Sequence, residues 1–470
     1  MKLSLKLLLT VGLTILQAAT PLPATQRFAT PDTSGTEQEQ GGSPLTLEQL
    51  KDSALHNNIA MRTGRLDIEA AREQRREAFT NYFPNISGTA LGFTADKGMA
   101  RMDIDPSEFI TPELGAALAQ SLPAEALMAL SSPMTMTMMK HGRIAGIEAI
   151  LPVFAGGQIV NGNRLARLGE EVSTLQLQLS EKDVEAQTEQ YYWQLVALQE
   201  KERTLDAVDA LLADLAKDAK AAVEAGVALR NDLLQVQLRQ NDIAAQRLKL
   251  NNGRAILKLI LSQYCGLKGA WSLATPDLGT DAANLLPAHA DATGFLPALP
   301  EYQLLQKGVE AARLQQKMEV GKRLPSVAVG AGYNYHNLLD NNRSFAMVFA
   351  TASVPISDWW GGSHAIRRKK IERQKAEEQL ADNAQLLTIR AEKAWNDVVE
   401  ANSQLALAQR SIEQATENLR LQADTYHAGT STMSDLLEAQ LLLQQAHDKH
   451  TDAHIALQTA RLAYRQATGE

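Results

Sequence analysis

HAGTSTMSDLLEAQ, residues 427 to 440, reads as the end of one helix, a short turn and the start of another. Upstream, residues 224 to 237 read EAGVALRNDLLQVQ, with Ala-Gly, Asp-Leu-Leu and Gln in the same places. The turn glycines Gly226 and Gly429 stand 203 positions apart. So do Asp232 and Asp435, Pro152 and Pro355, and Gly266 and Gly469. One spacing held from Pro152 to Gly266 marks a duplicated unit rather than a chance motif. Gly156-Gly157 and Gly361-Gly362 stand 205 apart, so a small insertion or deletion interrupts the match briefly.

Each copy has the same order of parts. Helical stretches over 44–83 and 298–324 end at Pro84 and Pro325, where helical spacing gives way to alternation. Strand pairs are expected over 84–154 and 325–357. Val327, Val329, Ala331, Tyr333 and Tyr335 share one strand face; Ala328, Gly330, Gly332, Asn334 and His336 share the other. Ala145, Ile147, Ala149, Leu151 and Val153 likewise fall on one face, with Glu148 pointing away. One apolar and one wet side suit a soluble sheet as well as a membrane barrel. The Pro84–Pro152 interval exceeds Pro325–Pro355 by 38 residues, which gives the first strand pair a long extracellular insert over 96–140.

Long helical hairpins are expected over 155–270 and 358–470, with tips at about 226–232 and 429–435 and a linker over 271–297. Leu165, Leu168, Val172, Leu175 and Leu179, then Leu205, Val208, Leu212 and Leu215, step by three and four. No proline falls between residues 158 and 225, so one helix of about 100 Å is possible at about 1.5 Å per residue. The return arms carry Val236, Ile243, Leu250 and Leu257, and Ala439, Ala446, Ala453 and Ala460, at sevenfold spacing. Heptads of this kind pack helix against helix, and alanine lets the backbones approach closely.

The N-terminus, MKLSLKLLLTVGLTILQAA, places Lys2 and Lys6 before a short apolar run. It reads as a secretory signal peptide over 1–24, cleaved near Ala19 or Ala24, followed by a flexible leader over 25–43. The one cysteine, Cys265, leaves no internal disulfide. A formal net charge of −8 supplies no broad basic surface for nucleic acid.

Aromatic residues gather at the helical ends of the strands: Tyr82 and Phe83, Phe154, and Trp359 with Trp360. The basic run Arg367, Arg368, Lys369 and Lys370 follows directly. Aromatics followed by cations are the sequence of residues expected where a barrel leaves the hydrocarbon for anionic headgroups. Four strands per chain raise a problem, however. Open strand edges are costly in lipid, and a closed barrel needs about eight strands or more. Several chains contributing four strands each would solve it.

With LPVFAGGQIVNGN beside the paired turns and the duplicated order of parts, the chain resembles the TolC-like outer-membrane efflux family from about Leu45 to Gly469. The resemblance implies a mainly α fold with a membrane β part, duplicated as helix, β-hairpin and long helical hairpin. It implies a homotrimer whose 12-stranded β-barrel, four strands from each chain, continues into a periplasmic α-helical barrel. The implied partners are a periplasmic adaptor protein and an inner-membrane pump, besides outer-membrane lipid. The implied function is an exit duct for small molecules or proteins in a tripartite efflux or type I secretion complex, with no cofactor and no catalysis. Gly226 with Val227, Ala228 and Leu229, and Gly429 with Thr430, Ser431 and Thr432, match the tips that meet the adaptor. Asp435, Glu438 and Asp232 match acidic positions at the closed pore mouth, where a trimer would present rings of like charge. Tyr426 matches a tyrosine that latches the mouth to an arginine; that position is Ser431 here, and Arg230 is a substitute. Read alone, the glycines and aspartates are better explained as helix caps; their place in the repeat and the resemblance bring in the pore.

Two further patterns are weaker. PMTMTMMKH, residues 133 to 141, combines methionines with a histidine, as a Cu(I) or Ag(I) site does, but such a segment is more often a loop or strand extension over the barrel mouth or between protomers. His447, His450 and His454 share one helical side, a spacing that suits zinc or an exposed helix face. No metal site is assigned. HExxH, GxxxxGK and GxSxG are absent, so no enzyme motif is present. The alternatives are a periplasmic adaptor, which would have one helical hairpin, and a non-channel coiled-coil scaffold, which leaves the strands unexplained.

Overall fold

The computed structural model describes residues 44–97, 100–105, 108, 110–130, 132, 134–138, 140–274, 276, 286–338 and 342–469. The expected signal peptide and leader therefore lie outside the described residues, as do Pro133 and Met139 of the methionine-rich stretch.

The N-terminal helical stretch is two helices rather than one, α1 (Leu47–Asn57) and α2 (Ile59–Thr80). Asn58 separates them in extended backbone, and its carboxamide oxygen accepts the Ala60 N–H at 2.8 Å. The break has a cause elsewhere in the fold. Ser53 Oγ and Asn57 Nδ2 donate to the carbonyl of Cys265 at 2.9 and 3.1 Å, and Asn58 Nδ2 donates to that of Tyr264 at 3.1 Å. These are terminal carbonyls of a helix that have no partner within it.

Four strands form one antiparallel sheet in the order β1 (Asn85–Thr94), β4 (His141–Ala155), β5 (Ser326–Asn337), β6 (Asn342–Ser353). Between β1 and β4 the insert folds into a separate ribbon, β2 (Ala100–Ile104) with β3 (Met134–Met138), and two short helices, α3 (Pro112–Ser121) and α4 (Ala124–Leu130). Register puts Ile86, Ala149, Ala331 and Val348 in one row across the sheet, and Ile147, Tyr333 and Ala346 in the next. This part of the face is apolar and much of it is exposed; towards the hairpin end it turns polar, with Arg143 opposite Asn337 and Tyr335 opposite Ser344. The opposite face carries Ser87, Thr89, Glu148, Asn334, His336 and Arg343, with glycines over which neighbouring side chains fold. Val153 departs from the expected alternation. A bulge between Pro152 and Phe154 shifts the register, so Phe154 rather than Val153 pairs with Val327. Pro152 has no N–H to give the ladder, which is why the irregularity falls there.

The helical layer is built on two long helices, α5 (Gln158–Glu224) and α9 (Asp358–His427), of 67 and 70 residues. Each meets partners made of two stacked pieces. Below the middle these are α6 (Arg230–Cys265) and α10 (Met433–Thr468), which return from the tips. Above it are α2 and α8 (Pro300–Gly321). The short helix α7 (Ala292–Phe295) and a 3₁₀ turn (Leu296–Ala298) lead into α8, whose entry at Leu299 abuts Gly469. Lateral packing runs α6, α5, α10, α9 near the tips and α2, α5, α8, α9 near the sheet.

The heptad positions carry this packing. Val236 and Ile243 are fully buried beside Leu205, Leu212 and Leu215, with Leu250 packed against them. On α10, Ala439 and Ala446 are buried, and Ala453 and Ala460 lie half-buried against Val398 and Leu405. Each fully buried leucine or isoleucine here contributes about 1.5–3 kcal/mol. At mid-height the carboxylate of Glu189 on α5 is buried and shared by Lys51 of α1 and Arg465 of α10, the latter at 2.6 Å. Tyr464 fixes the linker there, donating to the Ala288 carbonyl at 2.8 Å and accepting the Ala290 N–H at 2.7 Å.

Candidate functional site: hairpin tips, strand ends and open edges

Both tips turn on a glycine with positive φ, +77° at Gly226 and +73° at Gly429. A side chain is rarely accommodated there, which explains why the duplicated turn keeps glycine in both copies. After Gly226 the Val227 N–H returns to the Ala222 carbonyl at 2.9 Å, and Asp232 accepts the Leu229 N–H at 3.2 Å. After Gly429 the Thr430 N–H returns to Thr425 at 3.0 Å. Thr432 then caps α10: its Oγ accepts the Asp435 N–H at 3.2 Å, while the Asp435 carboxylate accepts from Thr432 N and Oγ at 3.0 and 2.6 Å. This is a reciprocal capping box. The Thr432 bonds hold the Asp435 carboxyl below the usual aspartate range.

The two tips differ in chemistry. Val227 and Leu229 are 80% and 71% exposed, so the first tip is apolar, with Ala228 between them. The second presents Thr430, Ser431 and Thr432, of which Ser431 donates to Gln422 at 3.1 Å and to Asp435 at 3.4 Å. Glu438 is exposed one turn beyond Asp435. Tyr426 packs half-buried in the cluster that joins the hairpins. Burial, and then the nearby Asp232 and Asp218, push its phenol pKa upward. The structure thus brings Tyr426 towards Asp232 across the repeat. It does not bring Arg230 into that contact: Arg230 is exposed and makes no hydrogen bond to Tyr426.

A polar tie that sequence reading missed lies one turn further up. Arg239 of α6 donates to Gln440 and Gln444 of α10 at 3.3 and 2.5 Å, and Gln444 donates on to Gln246 at 3.0 Å. Burial lowers the Arg239 pKa, against the opposing charge of nearby Asp242. No local pattern announces it, since the partners stand about two hundred positions away in the chain.

At the other end of the molecule Tyr82, Phe83, Phe154, Trp359 and Trp360 are all substantially exposed, Trp360 at 82%. Tyr82 packs tilted and Phe83 edge-on against Phe79, and Trp359 Nε1 donates to the Arg323 carbonyl at 3.0 Å. The five rings mark the level where strands become helices. In the basic run, Lys369 is paired with Glu372 at 2.6 Å. The histidine triplet does not form the exposed face that was one expectation for it. His454 is buried against the Trp193 ring, and burial lowers the pKa of both His450 and His454. Among the described residues no group of three or more His, Cys, Asp or Glu has metal-holding geometry.

The lateral edges are incomplete. Among the described residues β1 and β6 each have a strand partner on one side only. The helical layer ends at α6 and α9 near the tips and at α2 and α9 near the sheet, and its α6 and α9 flanks expose apolar side chains. On α6 these include Leu238, Leu248 and Leu259, and on α9 Leu386, Ile389 and Leu407. No helix among the described residues is long and apolar enough to cross a membrane.

Residues 300–470 match the family described as outer membrane efflux protein. No curated protein matches the chain by sequence. The fold matches CusC with a TM-score of 0.72 at 17% identity, covering 95% of this chain and 98% of that one. The outer membrane protein VceC of Vibrio cholerae matches with a TM-score of 0.68 at 12% identity, covering 90% and 96%. The Campylobacter jejuni CmeC outer membrane channel matches with a TM-score of 0.66 at 14% identity, covering 96% and 94%. The second repeat thus carries the sequence pattern of the outer membrane efflux proteins, and the chain shares the fold of these solved outer-membrane proteins.

Proposed function

We propose that three copies of this chain form an outer-membrane exit duct, closing a 12-stranded barrel above a periplasmic helical cylinder. The observation that carries this reading is the pair of open edges. Unpaired strand edges and exposed apolar helix flanks lie on the same two sides of one layer. A neighbour's β1 and α6 set against this chain's β6 and α9 would cover both at once, and rotation about one axis closes such a contact into a ring. The C. jejuni protein CmeC, which shares the fold, is an outer membrane channel, and this supports the reading of a duct.

The sheet suits the role. Strands of 10 to 15 residues at about 3.3 Å per residue, tilted about 40°, cross roughly 30 Å of hydrocarbon. The face of Ile86, Ile147, Tyr333 and Val348 meets lipid, its polar end with Arg143 and Asn337 reaching the far headgroups, and the face with Glu148, Asn334 and Arg343 lines water. The aromatic residues then sit at the periplasmic headgroups. A family member of this kind is a transport protein, not an enzyme. An adaptor docks on the tips, the apolar Val227–Leu229 turn offering burial and the Thr430–Thr432 turn hydrogen bonds. Rings of Asp435 and Glu438 concentrate cations at the mouth, with Asp232 and Tyr426 packed behind them. Arg230 is free to pair with a neighbouring copy's acids.

Incorporation into planar bilayers tests the reading. A heat-resistant trimer from outer-membrane fractions should conduct, and polyvalent cations on the tip side should block the current. A soluble periplasmic monomer would overturn it.

A further inference from the structure

Beneath the strand ends, α5 and α8 enclose a groove of about 640 Å³ lined by Arg164, Arg167, Glu171, Lys307, Arg313 and Lys317. Its acids are already engaged. Lys307 holds Glu171 at 2.6 Å and lies 3.7 Å from Glu310, and Arg167 lies 3.4 Å from Glu171. Arg164, Arg313 and Lys317 are exposed and form no ion pair or hydrogen bond among the described residues. With five cations and two acids lining it, the groove keeps three cations that no ion pair engages.

The groove faces the convex side of the layer. On α8, Met318 points to Gly162 of α5 and Gln315 accepts from Lys369 of α9 at 3.3 Å. At about 100° per residue these two contacts lie only about 60° apart around the helix. Arg313 and Lys317 each stand about 160° from Gln315, on the broad arc away from both neighbours. Above them on the same flanks the exposed side chains turn apolar: Val160 precedes Arg164 by one turn on α5, and Val320 follows Lys317 on α8. Descending from the strands, the outer surface passes from apolar to cationic within two helical turns. Arg164 lies six residues below the start of α5, about 9 Å, which is close to the thickness of a headgroup layer.

We propose that this groove binds the phosphodiester headgroup of an anionic phospholipid in the membrane leaflet that faces the helices. Arg164, Arg313 and Lys317 hold the phosphate and Val160 and Val320 meet the first acyl carbons. Three such grooves would fix the barrel's height in the bilayer. The inference rests on the outer-membrane reading and adds a lipid class and its residues. Because α5 and α8 are interior to the layer, the groove stays open when copies join at their edges.

Native mass spectrometry of the detergent-purified full chain tests it with three probes: phosphatidylglycerol, phosphatidylethanolamine and inorganic phosphate. Wild type should retain phosphatidylglycerol preferentially. Each cation near a membrane surface is worth about fivefold, so R164Q/R313Q/K317Q should weaken retention on the order of a hundredfold. R164K/R313K should keep it, and circular dichroism should match across the variants. Equal retention of both lipids, or of phosphatidylglycerol by wild type and the triple variant, would overturn the proposal. Inorganic phosphate that displaces the lipid at equal concentration would reassign the groove to a soluble anion and overturn it as well. Bilayer conductance of the same samples separates the two readings: conduction without lipid preference sinks only the groove, and no conduction by wild type sinks the channel.

Discussion

Replacing Thr432 by alanine separates the two roles that meet at the second tip. Thr432 Oγ accepts the Asp435 N–H at 3.2 Å and donates to the Asp435 carboxylate at 2.6 Å, and both bonds go in Thr432→Ala. Loss of a threonine cap costs about 1 kcal/mol, about a fivefold rise in the population with the first turn of α10 open. Hydrogen exchange at Ser434, Asp435 and Leu436 should quicken by that factor, while amides near Ala446 stay unchanged. Asp435→Asn is the counterpart. Its carboxamide oxygen still accepts from Thr432, so exchange should move by less than about twofold. It removes one negative charge per copy from the pore mouth, so cation block should weaken. Acid should act like the asparagine. The Asp435 pKa is depressed below its usual 3.8, so the charged cap is complete above that value and is lost as pH falls below it. Unchanged exchange in Thr432→Ala would refute the capping box. Block lost in Thr432→Ala but kept in Asp435→Asn would show that block follows tip order rather than charge.

Leu259→Glu, at a position 70% exposed on the outer flank of α6, should abolish the heat-resistant trimer while leaving helix content intact; an unaffected trimer would remove that flank from the contact. Glu189→Ala strips a buried carboxylate from Lys51 and Arg465 and should cost about 3 kcal/mol, read as a lower melting temperature by circular dichroism. Burial pushes the Cys265 thiol up to about 11, so iodoacetamide at pH 8 should label it only after denaturation.

Much of the architecture is legible because it is local. Pro84 and Pro325 end helices, Gly226 and Gly429 need positive φ, and the heptads from Val236 and Ala439 record what they pack against. The strand faces could be read as two sets, because side chains alternate with a fixed period. Other features are set by partners far along the chain. The α1–α2 break at Asn58 answers to Tyr264 and Cys265, and the burial of His454 answers to Trp193. Arg239 finds its amides only when the two hairpins meet. The bulge at Pro152 was half visible: the proline is in the sequence, but the register it disturbs belongs to β5. At the tip, Asp435 looked the same whether it capped a helix or lined a pore. Its bonds to Thr432 establish the cap and leave the carboxylate exposed for the second role.

The measurement closest to the central claim is electron cryomicroscopy of the full chain purified in detergent from outer membranes. Three copies should stand around one axis, with β6 of each copy hydrogen-bonded to β1 of the next and the α6 flank seated on a neighbour's α9. Particles of one copy, or an assembly that leaves β1 and β6 unpaired with each other, would contradict it.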